Sequence, residues 1–584
     1  MNTTEPFRPE ERQTAEAPLL TGSQALIESF LREGVETVFG YPGGSVLTLY
    51  DELYKSGLPH ILTGHEQGAV HAADGYARAT GRTGVCFATS GPGVCNMVTG
   101  IATAYMDSVP LVVISGQVAT TLIGRDSFQE ADISGITTPI TKHNYLVKNV
   151  DDLPRVLKEA FYIASTGRPG PVLVDIAKDV FEKELDFEYP DSVHLRGYQG
   201  NVQGQEADVD AAVEALRTAR RPLFLTGGGV VSSGTAGLVC DIVRKTGIPV
   251  VTTLLGKGSV PDTWPYHLGM AGMHGSYAAN MSITDCDLLI AVGARFDDRV
   301  TGDVENFAPK ARIVHFDIDK VEINKIVHAD ISVNGDLRWS MPLFADKVLA
   351  LRDDWDSRFA PWRAEAAARK AAHPFTTPAL GRAVTPQALF EALRDYTDGD
   401  TVLVTDVGQH QMWAAQFFPA EQPRHFLTSG GLGTMGYGLP AAMGAKLGRP
   451  GSQVVLITGD GSILMNCQEF STLARYGIAV KVLVLHNNVL GMVNQWQVLF
   501  YQGHQAESVI PDFPEMSRVA PAMGVPGKQA HDLDDLKEGL DWLFAADGPA
   551  LLDVRIPAEA KVYPMVPGGR RLDQMILGEE GGAQ

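Results

Sequence analysis

The sequence predicts an α/β protein built from three tandem parallel-sheet domains. Its 584 residues exceed what one hydrophobic core organises, so roughly three to four domains are expected. Short apolar runs of strand length recur along the chain, separated by helix-spaced stretches and closed by Gly, Ser, Asp or Asn. The clearest case joins the runs 454–458 and 480–485 through a short helix over 468–476. Gly459-Asp460-Gly461-Ser462 follows the first run, and His486-Asn487 follows the second. A βαβ crossover lays such strands parallel, with their carboxyl ends on one edge. Asp460 and Asn487 would then meet where open α/β sheets bind ligands. One carboxylate and one amide oxygen suit Mg²⁺, which keeps room for phosphate and water oxygens. Glycines on both sides of Asp460 permit close approach of a diphosphate. By itself, Gly-Asp-Gly is also how an ordinary turn is written.

The elements follow in order. Residues 1–18 are polar and rich in Glu, without an apolar core segment, and read as a disordered tail rather than a signal or transit peptide. The first domain, 19–187, opens with Thr21 as an N-cap and a helix whose apolar face is Leu26, Ile27, Phe30 and Leu31, ended by Gly34. Strands are expected up to Phe39 and over 60–63, 84–89, 111–115 and 172–175. A charged, Gly- and Gln-rich linker leads to the second domain, 206–351, with a helix over 207–217 and strands over 223–226, 250–253, 288–292 and 312–317. Residues 352–384, with Trp355 and Trp362, read as a surface-hugging connector. The third domain, 385–560, starts with Pro386 at the first position of a helix and carries strands over 402–405, 454–458, 480–485 and 550–554. Residues 561–584 read as a short terminal tail.

Composition excludes several classes of function. There are 48 Lys+Arg against 69 Asp+Glu, a net charge of −21, and no basic cluster. This opposes nucleic-acid and anionic-membrane partners. No apolar run approaches the ~20 residues of a membrane helix. Five cysteines lie in apolar runs without Cys-x-x-Cys spacing, which predicts reduced, buried thiols and a cytoplasmic setting.

In the first domain, His65-Glu66-Gln67-Gly68 stands at the end of a predicted strand. A Glu there is commonly a cap for the following helix. Small residues in Thr89-Ser90-Gly91-Pro92-Gly93 would let a ligand ring approach the backbone. Together with Gly459-Asp460-Gly461 and Asn487, these motifs resemble the thiamine-diphosphate-dependent decarboxylases and carboligases. More narrowly, residues 21–576 resemble the catalytic large subunits of the acetolactate (acetohydroxyacid) synthase family. The stretches 117–130 and 141–144, Arg295-Phe296-Asp297-Asp298-Arg299-Val300-Thr301-Gly302 and Gly491-Met492-Val493-Asn494-Gln495-Trp496-Gln497 carry this narrower resemblance.

The resemblance implies three cofactors: thiamine diphosphate, Mg²⁺ and FAD. Glu66 matches the Glu that hydrogen-bonds the aminopyrimidine and favours the imino tautomer that takes the C2 proton. Met435, in Gly433-Thr434-Met435-Gly436, matches the residue that props the bent cofactor. Val407-Gly408-Gln409-His410 resembles the turn that contacts the diphosphate, alongside Gly459, Gly461 and Ser462. Asp460 and Asn487 match metal ligands, with the Val489 carbonyl completing the set. Phe128, Met273, Arg299 and Trp496 match acceptor-substrate positions, Gln129 a residue facing the reaction centre, and Lys178 one at the access channel. Arg299 suits a carboxylate, or pairs with Asp297 or Asp298; Trp496 could equally be core. Gly227, Gly228, Thr252, Leu254, Gly293, Arg295, Asp317, Ile318 and Asp336 resemble a flavin-binding set, in a family where FAD has no net redox role. One departure is Ser45, in Gly43-Gly44-Ser45, where many relatives carry Ala.

The implied reaction decarboxylates pyruvate and adds the resulting hydroxyethyl carbanion to a second 2-ketoacid, pyruvate or 2-ketobutyrate, in branched-chain amino-acid synthesis. The implied assembly is a homodimer or homotetramer with active sites at the dimer interface, joined by a small regulatory subunit. Two other readings stand beside it. A pyruvate oxidase or simple decarboxylase would send the same carbanion to flavin or to a proton, against Arg299 and Trp496. An inactive cofactor-binding scaffold would lack Glu66 or Asp460, and both are present.

Overall fold

Three parallel six-stranded sheets organise the computed structural model, which describes residues 19–578. The tail expected over 1–18, and the end of that expected over 561–584, lie outside the described residues. In spatial order the first sheet runs His60–Leu62, Val38–Gly40, Gly84–Ala88, Leu111–Gln117, Pro171–Ala177, His143–Val147. Numbered by chain order this is 2-1-3-4-6-5. The third sheet repeats that order with Phe426–Leu427, Val402–Thr405, Val454–Gly459, Val480–His486, Ala550–Arg555 and Gly527–Ala530. The middle sheet differs: His267–Met270, Val250–Thr252, Pro222–Thr226, Leu288–Val292, Arg312–Asp317, Ile331–Asn334, or 3-2-1-4-5-6. Each order has a switch point beside its first strand, where loops diverge and leave a crevice at the carboxyl edge.

The central strands are buried on both faces and read as near-continuous apolar runs, which is why they were legible in sequence. Within the three six-stranded sheets, five strands were not predicted: His143–Val147, His267–Met270, Ile331–Asn334, Phe426–Leu427 and Gly527–Ala530. All five are edge strands. One side of each ladder is unpaired, so most carry polar or half-exposed residues that blur the pattern.

Helix α1 (Gly22–Arg32) starts as expected: Thr21 Oγ1 accepts the Gln24 amide and Gln24 Oε1 accepts the Thr21 amide, closing a capping box. Leu26, Ile27 and Phe30 are buried, but Leu31 stays 50% exposed and is not part of the packed face.

Helices α2 (Glu66–Thr80), α3 (Pro92–Asp107) and α4 (Gly438–Gly448) join the first and third domains. One apolar cluster runs through both, from Phe39 and Val70 to Leu439 and Val482. α2 and α4 cross at backbone contact, so that a Cβ on Gly444 would fall 1.8 Å from the Ala72 carbonyl oxygen. Beside the crossing, buried Arg78 donates to Asp74 at 2.6 Å and to Asp107 at 2.8 Å, while Tyr437 OH donates to Asp74 at 2.8 Å. Arg78 also donates to the Thr428 carbonyl at 2.9 Å. A buried cation shared by two carboxylates and a carbonyl bolts the two domains in one register.

The connector does more than hug the surface. Its helix Trp355–Ala372 buries Trp355 and Trp362 in the two faces of the middle domain, and Trp362 Nε1 donates to the Pro222 carbonyl at 2.9 Å. The cysteines form no disulfide, but they are not uniformly buried: Cys86 and Cys286 are, Cys240 and Cys467 are half-buried, and Cys95 is exposed on the first turn of α3. Apolar neighbours in sequence do not bury a residue that points off the outer face of a helix.

Candidate active site

A pocket opens at the switch point of the third sheet, between Val402–Thr405 and Val454–Gly459. Val407, Gly408, Gln409, His410, Met435, Gly459, Asp460, Gly461, Ser462, Asn487 and Val489 line it, all of them expected from sequence; Gly433 lies two residues before Met435 and does not line it. Trp413, Leu485 and the segment from Leu490 to Val493 complete the walls. Every lining residue comes from the third domain.

Asp406, at the end of the first strand, fixes the floor. Its buried carboxylate accepts the amides of Val407 at 3.0 Å and Gly436 at 2.9 Å, tying the 407–410 turn to the Met435 loop. Burial pushes its pKa up to about 6, against these donors. Burial also lowers His410 to about 3, so its imidazole is neutral near pH 7. Gly459 is required where it stands, because a Cβ there would lie 2.9 Å from His410 Nδ1.

Asp460 and Asn487 meet as the βαβ reading demands, since Gly459 and Leu485 are paired neighbours in adjacent parallel strands. Asp460 Oδ1 accepts the Gly461 amide at 2.8 Å, and Oδ2 accepts those of Asn487 at 3.1 Å and Asn488 at 2.7 Å. Asn488 adopts a left-handed conformation (φ +58°), which aims both amides at the carboxylate. Burial raises the pKa of Asp460, opposed by the His486 imidazole 3.8 Å away and by the three amides.

The donor set fits Mg²⁺ and a diphosphate. Oδ1 keeps a lone pair after its single amide bond, while both acceptor sites of Oδ2 are taken by the Asn487 and Asn488 amides. An anion entering beside a buried carboxylate is unfavourable unless a cation stands between them. Asp460 and the Asn487 amide form a sparse oxygen set of the kind Mg²⁺ shares with phosphate and water. Three buried polar atoms on the pocket wall, Gln409 Oε1, His410 Nε2 and Trp413 Nε1, have no partner. Such atoms are costly unless a ligand or water meets them.

Met435 stands on the same wall, its methyl 3.8 Å from a Cβ built on Gly461. Its loop is pinned from three sides. Thr434 Oγ1 meets Thr103 of α3 at 2.7 Å, the Thr434 amide donates to Ser429 Oγ at 3.1 Å, and Asn466 Nδ2 donates to the Gly436 carbonyl at 2.7 Å.

Glu66 is not the cap of α2. His65 is, its Nδ1 accepting the Gln67 amide at 3.1 Å. Glu66 therefore keeps a free function at the first helical position, where Oε2 accepts from Asn96 Nδ2 at 3.0 Å and Oε1 lies 3.4 Å from a Cβ built on Gly93. That small-residue wall leaves space beside the carboxylate. Ser45, the departure from Ala, binds the neighbouring loops together: its hydroxyl meets Thr89 Oγ1 at 2.9 Å and accepts the Ser90 amide at 2.9 Å.

Of the substrate candidates, Met273 and Arg299 meet: Arg299 Nη1 lies 3.6 Å from Met273 Sδ. Arg299 has only a loose, exposed pairing with Asp298 at 3.8 Å, while Asp297 is spent capping the turn 298–301. Trp496 is half-buried against Phe500, and a Cβ on Gly568 would sit 3.6 Å from it. The segment read as a terminal tail connects these residues, with the Val566 amide donating to the Met273 carbonyl at 2.8 Å and the Asp303 amide to the Arg570 carbonyl at 2.9 Å. Phe128 (88% exposed) and Lys178 stand exposed on the first domain. Gln129, with φ +58°, places its backbone against Gly91.

In the middle domain, Gly227, Gly228, Thr252, Leu254, Gly293, Arg295, Asp317 and Ile318 follow the carboxyl ends of four adjacent strands around the switch point. The Gly227 amide donates to the Val292 carbonyl at 2.9 Å, and a Cβ on Gly227 would lie 2.1 Å from the Gly293 oxygen. Thr252 Oγ1 is buried without a partner, and the half-buried Arg295 guanidinium makes no ion pair among the described residues. A bare glycine crossing, an orphaned hydroxyl and an unpaired cation fit a phosphate-bearing dinucleotide such as FAD. Asp336 is already committed: it caps the helix Leu337–Ala350 and binds Arg338 Nη2 at 2.6 Å.

Sequence reasoning passed over Asp406, Asn96 and Trp413. Asp406 had a signal, a lone carboxylate ending an apolar strand. Asn96 and Trp413 had none, because Glu66 lies 30 residues before Asn96 in the chain and the face of its helix that Trp413 turns to the pocket is set only by packing.

Comparison with known proteins places the chain among similar sequences over nearly its whole length. Three family descriptions match in series: thiamine pyrophosphate enzyme, N-terminal TPP binding domain over 20–136, central domain over 209–343, and C-terminal TPP binding domain over 406–554. A probable acetolactate synthase large subunit from Methanocaldococcus jannaschii is 45% identical over 574 residues, covering 95% of each chain. The acetolactate synthase large subunit of Parasynechococcus marenigrum is 46% identical, covering 96% of this chain and 92% of its own. The acetolactate synthase isozyme 2 large subunit of Escherichia coli is 44% identical, covering 95% of this chain and 99% of its own.

Proposed function

Because the chain belongs to the thiamine pyrophosphate enzymes and, within them, to the acetolactate synthase large subunits, with acetolactate synthesis as its activity, we propose how its residues divide that work. Bound thiamine diphosphate supplies the electron sink that lets a 2-ketoacid lose CO₂ and join a second 2-ketoacid. Asp460, Asn487 and the Val489 carbonyl hold Mg²⁺. Val407 to His410, with Gly459, Gly461 and Ser462, hold the diphosphate, Gly433 stands off that wall behind Met435, and Met435 supports the cofactor's bend.

Glu66, oriented by Asn96, holds the proton it shares with the pyrimidine ring nitrogen. Since no first-domain residue lines the third-domain pocket, Glu66 is assigned to the pocket of a second copy, in a homodimer or a pair of dimers. Arg299 binds the acceptor carboxylate as a fork. Met273, Trp496 and Phe128 shape the acceptor space for pyruvate or 2-ketobutyrate, Gln129 faces the reaction centre and Lys178 lies at the entrance. FAD occupies the middle-domain crevice, with Gly227, Gly228, Thr252, Leu254, Gly293, Arg295, Asp317 and Ile318 around it; Asp336 closes that helix end. The boundaries 19–187, 206–351 and 385–560 are kept for the three domains. A small regulatory partner is inferred from the relatives' designation as large subunits, and five thiols without a disulfide suit a cytoplasmic setting.

The observation that carries the cofactor reading is the buried Asp460 carboxylate beside three unpartnered polar groups on one wall. The test is to incubate the purified chain with pyruvate, Mg²⁺, thiamine diphosphate and FAD. Acetolactate is the expected product. Acetaldehyde or peroxide instead would transfer the site to a decarboxylase or oxidase, and no turnover with any partner would make it a scaffold.

A further inference from the structure

Glu469 is a fully buried carboxylate that the division of labour above leaves unused. It opens helix α5 (Glu469–Tyr476), which follows the Asp460 turn in the third domain, yet its partners are in the first. Both of its oxygens lie 3.0 Å from the Gly64 amide, and Oε2 also accepts from Thr472 Oγ1 at 2.7 Å. A Cβ on Gly68 would fall 2.4 Å from Glu469 Oε1, so the first turn of α2 rides directly on the carboxylate. Burial raises its pKa, and the Gly64 and Thr472 donors oppose that rise. The far end of α5 grips the same turn: Tyr476 OH accepts the Leu62 amide at 3.0 Å, and Arg475 Nη1 donates to the Leu62 carbonyl at 3.4 Å.

The strand-to-helix turn from Leu62 to Glu66 is thus bracketed at both ends by one short helix of another domain. Free amides at a helix start need an acceptor, and a carboxylate there also complements the helix dipole. His65 satisfies the Gln67 amide, and Glu469 takes the amide on the strand side. Two glycines make room for it.

We propose that Glu469 is a positioning residue for Glu66: held against Gly64 and Gly68, it sets where α2 begins and so where the Glu66 carboxylate points. The inference rests on the reading of Glu66 as the group that engages the aminopyrimidine. It makes the third domain contribute to cofactor activation through the first domain, besides holding the diphosphate.

The test uses the full chain with Glu469→Ala, Glu469→Gln and Glu66→Gln. In the cofactor-free protein, Glu469→Ala should speed amide hydrogen exchange over residues 62–69 while the edge strand 527–530 is unchanged. Glu469→Gln, which keeps an acceptor for Gly64, should stay close to wild type. In the loaded protein, Glu469→Ala should slow deuterium exchange at C2 of bound thiamine diphosphate by about 10- to 100-fold, the range that a misplaced group costs. In the Glu66→Gln background, adding Glu469→Ala should change that exchange by no more than about twofold, because the residue acts through Glu66. Losses that multiply in the double variant, or unchanged amide exchange in Glu469→Ala, overturn the positioning role. If Glu66→Gln alone leaves C2 exchange unaltered, the assignment of Glu66 itself falls, and this inference with it.

Discussion

Asn96 Nδ2 donates to Glu66 Oε2 at 3.0 Å, joining the first turn of α2 to the second turn of α3 beside the Gly91–Gly93 wall. One amide thereby sets the direction of the carboxylate, while His65 relieves it of capping duty. Glu66→Gln should lower acetolactate formation by about 10²- to 10⁴-fold, the usual worth of a positioned acid–base group. Asn96→Ala should cost about tenfold, the equivalent of one charge-assisted hydrogen bond. Steady-state kcat for both variants, each saturated with cofactor, checks the ranking; equal losses would remove the orienting role of Asn96.

Among the described residues, Asp460 offers the only carboxylate on the pocket wall. Asp460→Asn keeps the shape and removes the charge that a Mg²⁺ ion needs. The midpoint of a Mg²⁺ titration should rise by at least about 100-fold, since even outer-shell changes cost 10- to 100-fold. Trp413 lines the same wall, so quenching of its fluorescence on addition of thiamine diphosphate reports the titration. An unchanged midpoint would move the metal elsewhere.

The glycine crossing of the middle domain leaves no room for a side chain. Gly227→Val must push its Cβ away from the Gly293 oxygen, 2.1 Å from where it would sit. The purified variant should lose the flavin absorption expected of the wild type while keeping thiamine-diphosphate binding, because the two crevices lie in different sheets. Retained flavin would place FAD off this crevice.

Asp175 gives a pH dependence with a definite sign. Burial raises its pKa to about 6, while Ser115 and Gln117, whose Nε2 donates at 3.0 Å, oppose the rise. The folded pKa lies above the ~3.9 of an unfolded Asp. Its contribution is therefore complete below about pH 4 and is lost as pH rises through about 6, on the order of 3 kcal/mol in all. Asp175→Asn has no proton to lose. The unfolding free energy of the variant relative to wild type should improve between pH 4 and pH 8 in urea titrations. A difference that does not move with pH would show an ordinary carboxyl.

Much of the site was legible because it lies where strands end. Apolar runs buried on both faces announce themselves, and the residues that follow them land on one edge of a parallel sheet. That logic reached Asp460 and Asn487, while the 407–410 turn and Gly227 were reached only through the family resemblance. It failed for five edge strands, three of which are largely exposed or half-exposed while Phe426–Leu427 is only two residues long and His267–Met270 is broken by a His and a Gly, and for Cys95, whose apolar neighbours said nothing about its own direction.

The order of strands was a tertiary decision. The first and third sheets share 2-1-3-4-6-5 while the middle one takes 3-2-1-4-5-6, although all three read alike as alternating strands and helices. Which strand sits beside which depends on how the helices pack across the sheet, and periodicity does not encode that. The same holds for the partners of Glu66, of Arg78 and of Gly64. Asn96 lies beyond α2 and the strand Gly84–Ala88, Asp107 at the end of α3, and Glu469 in another domain. Local pattern determined a metal and diphosphate site at the strand ends, and the motifs' family resemblance named the chemistry, because residue types and strand ends are local facts. Only packing decided how that chemistry is aimed, because a buried carboxylate or cation settles on whichever donors the folded chain brings to it.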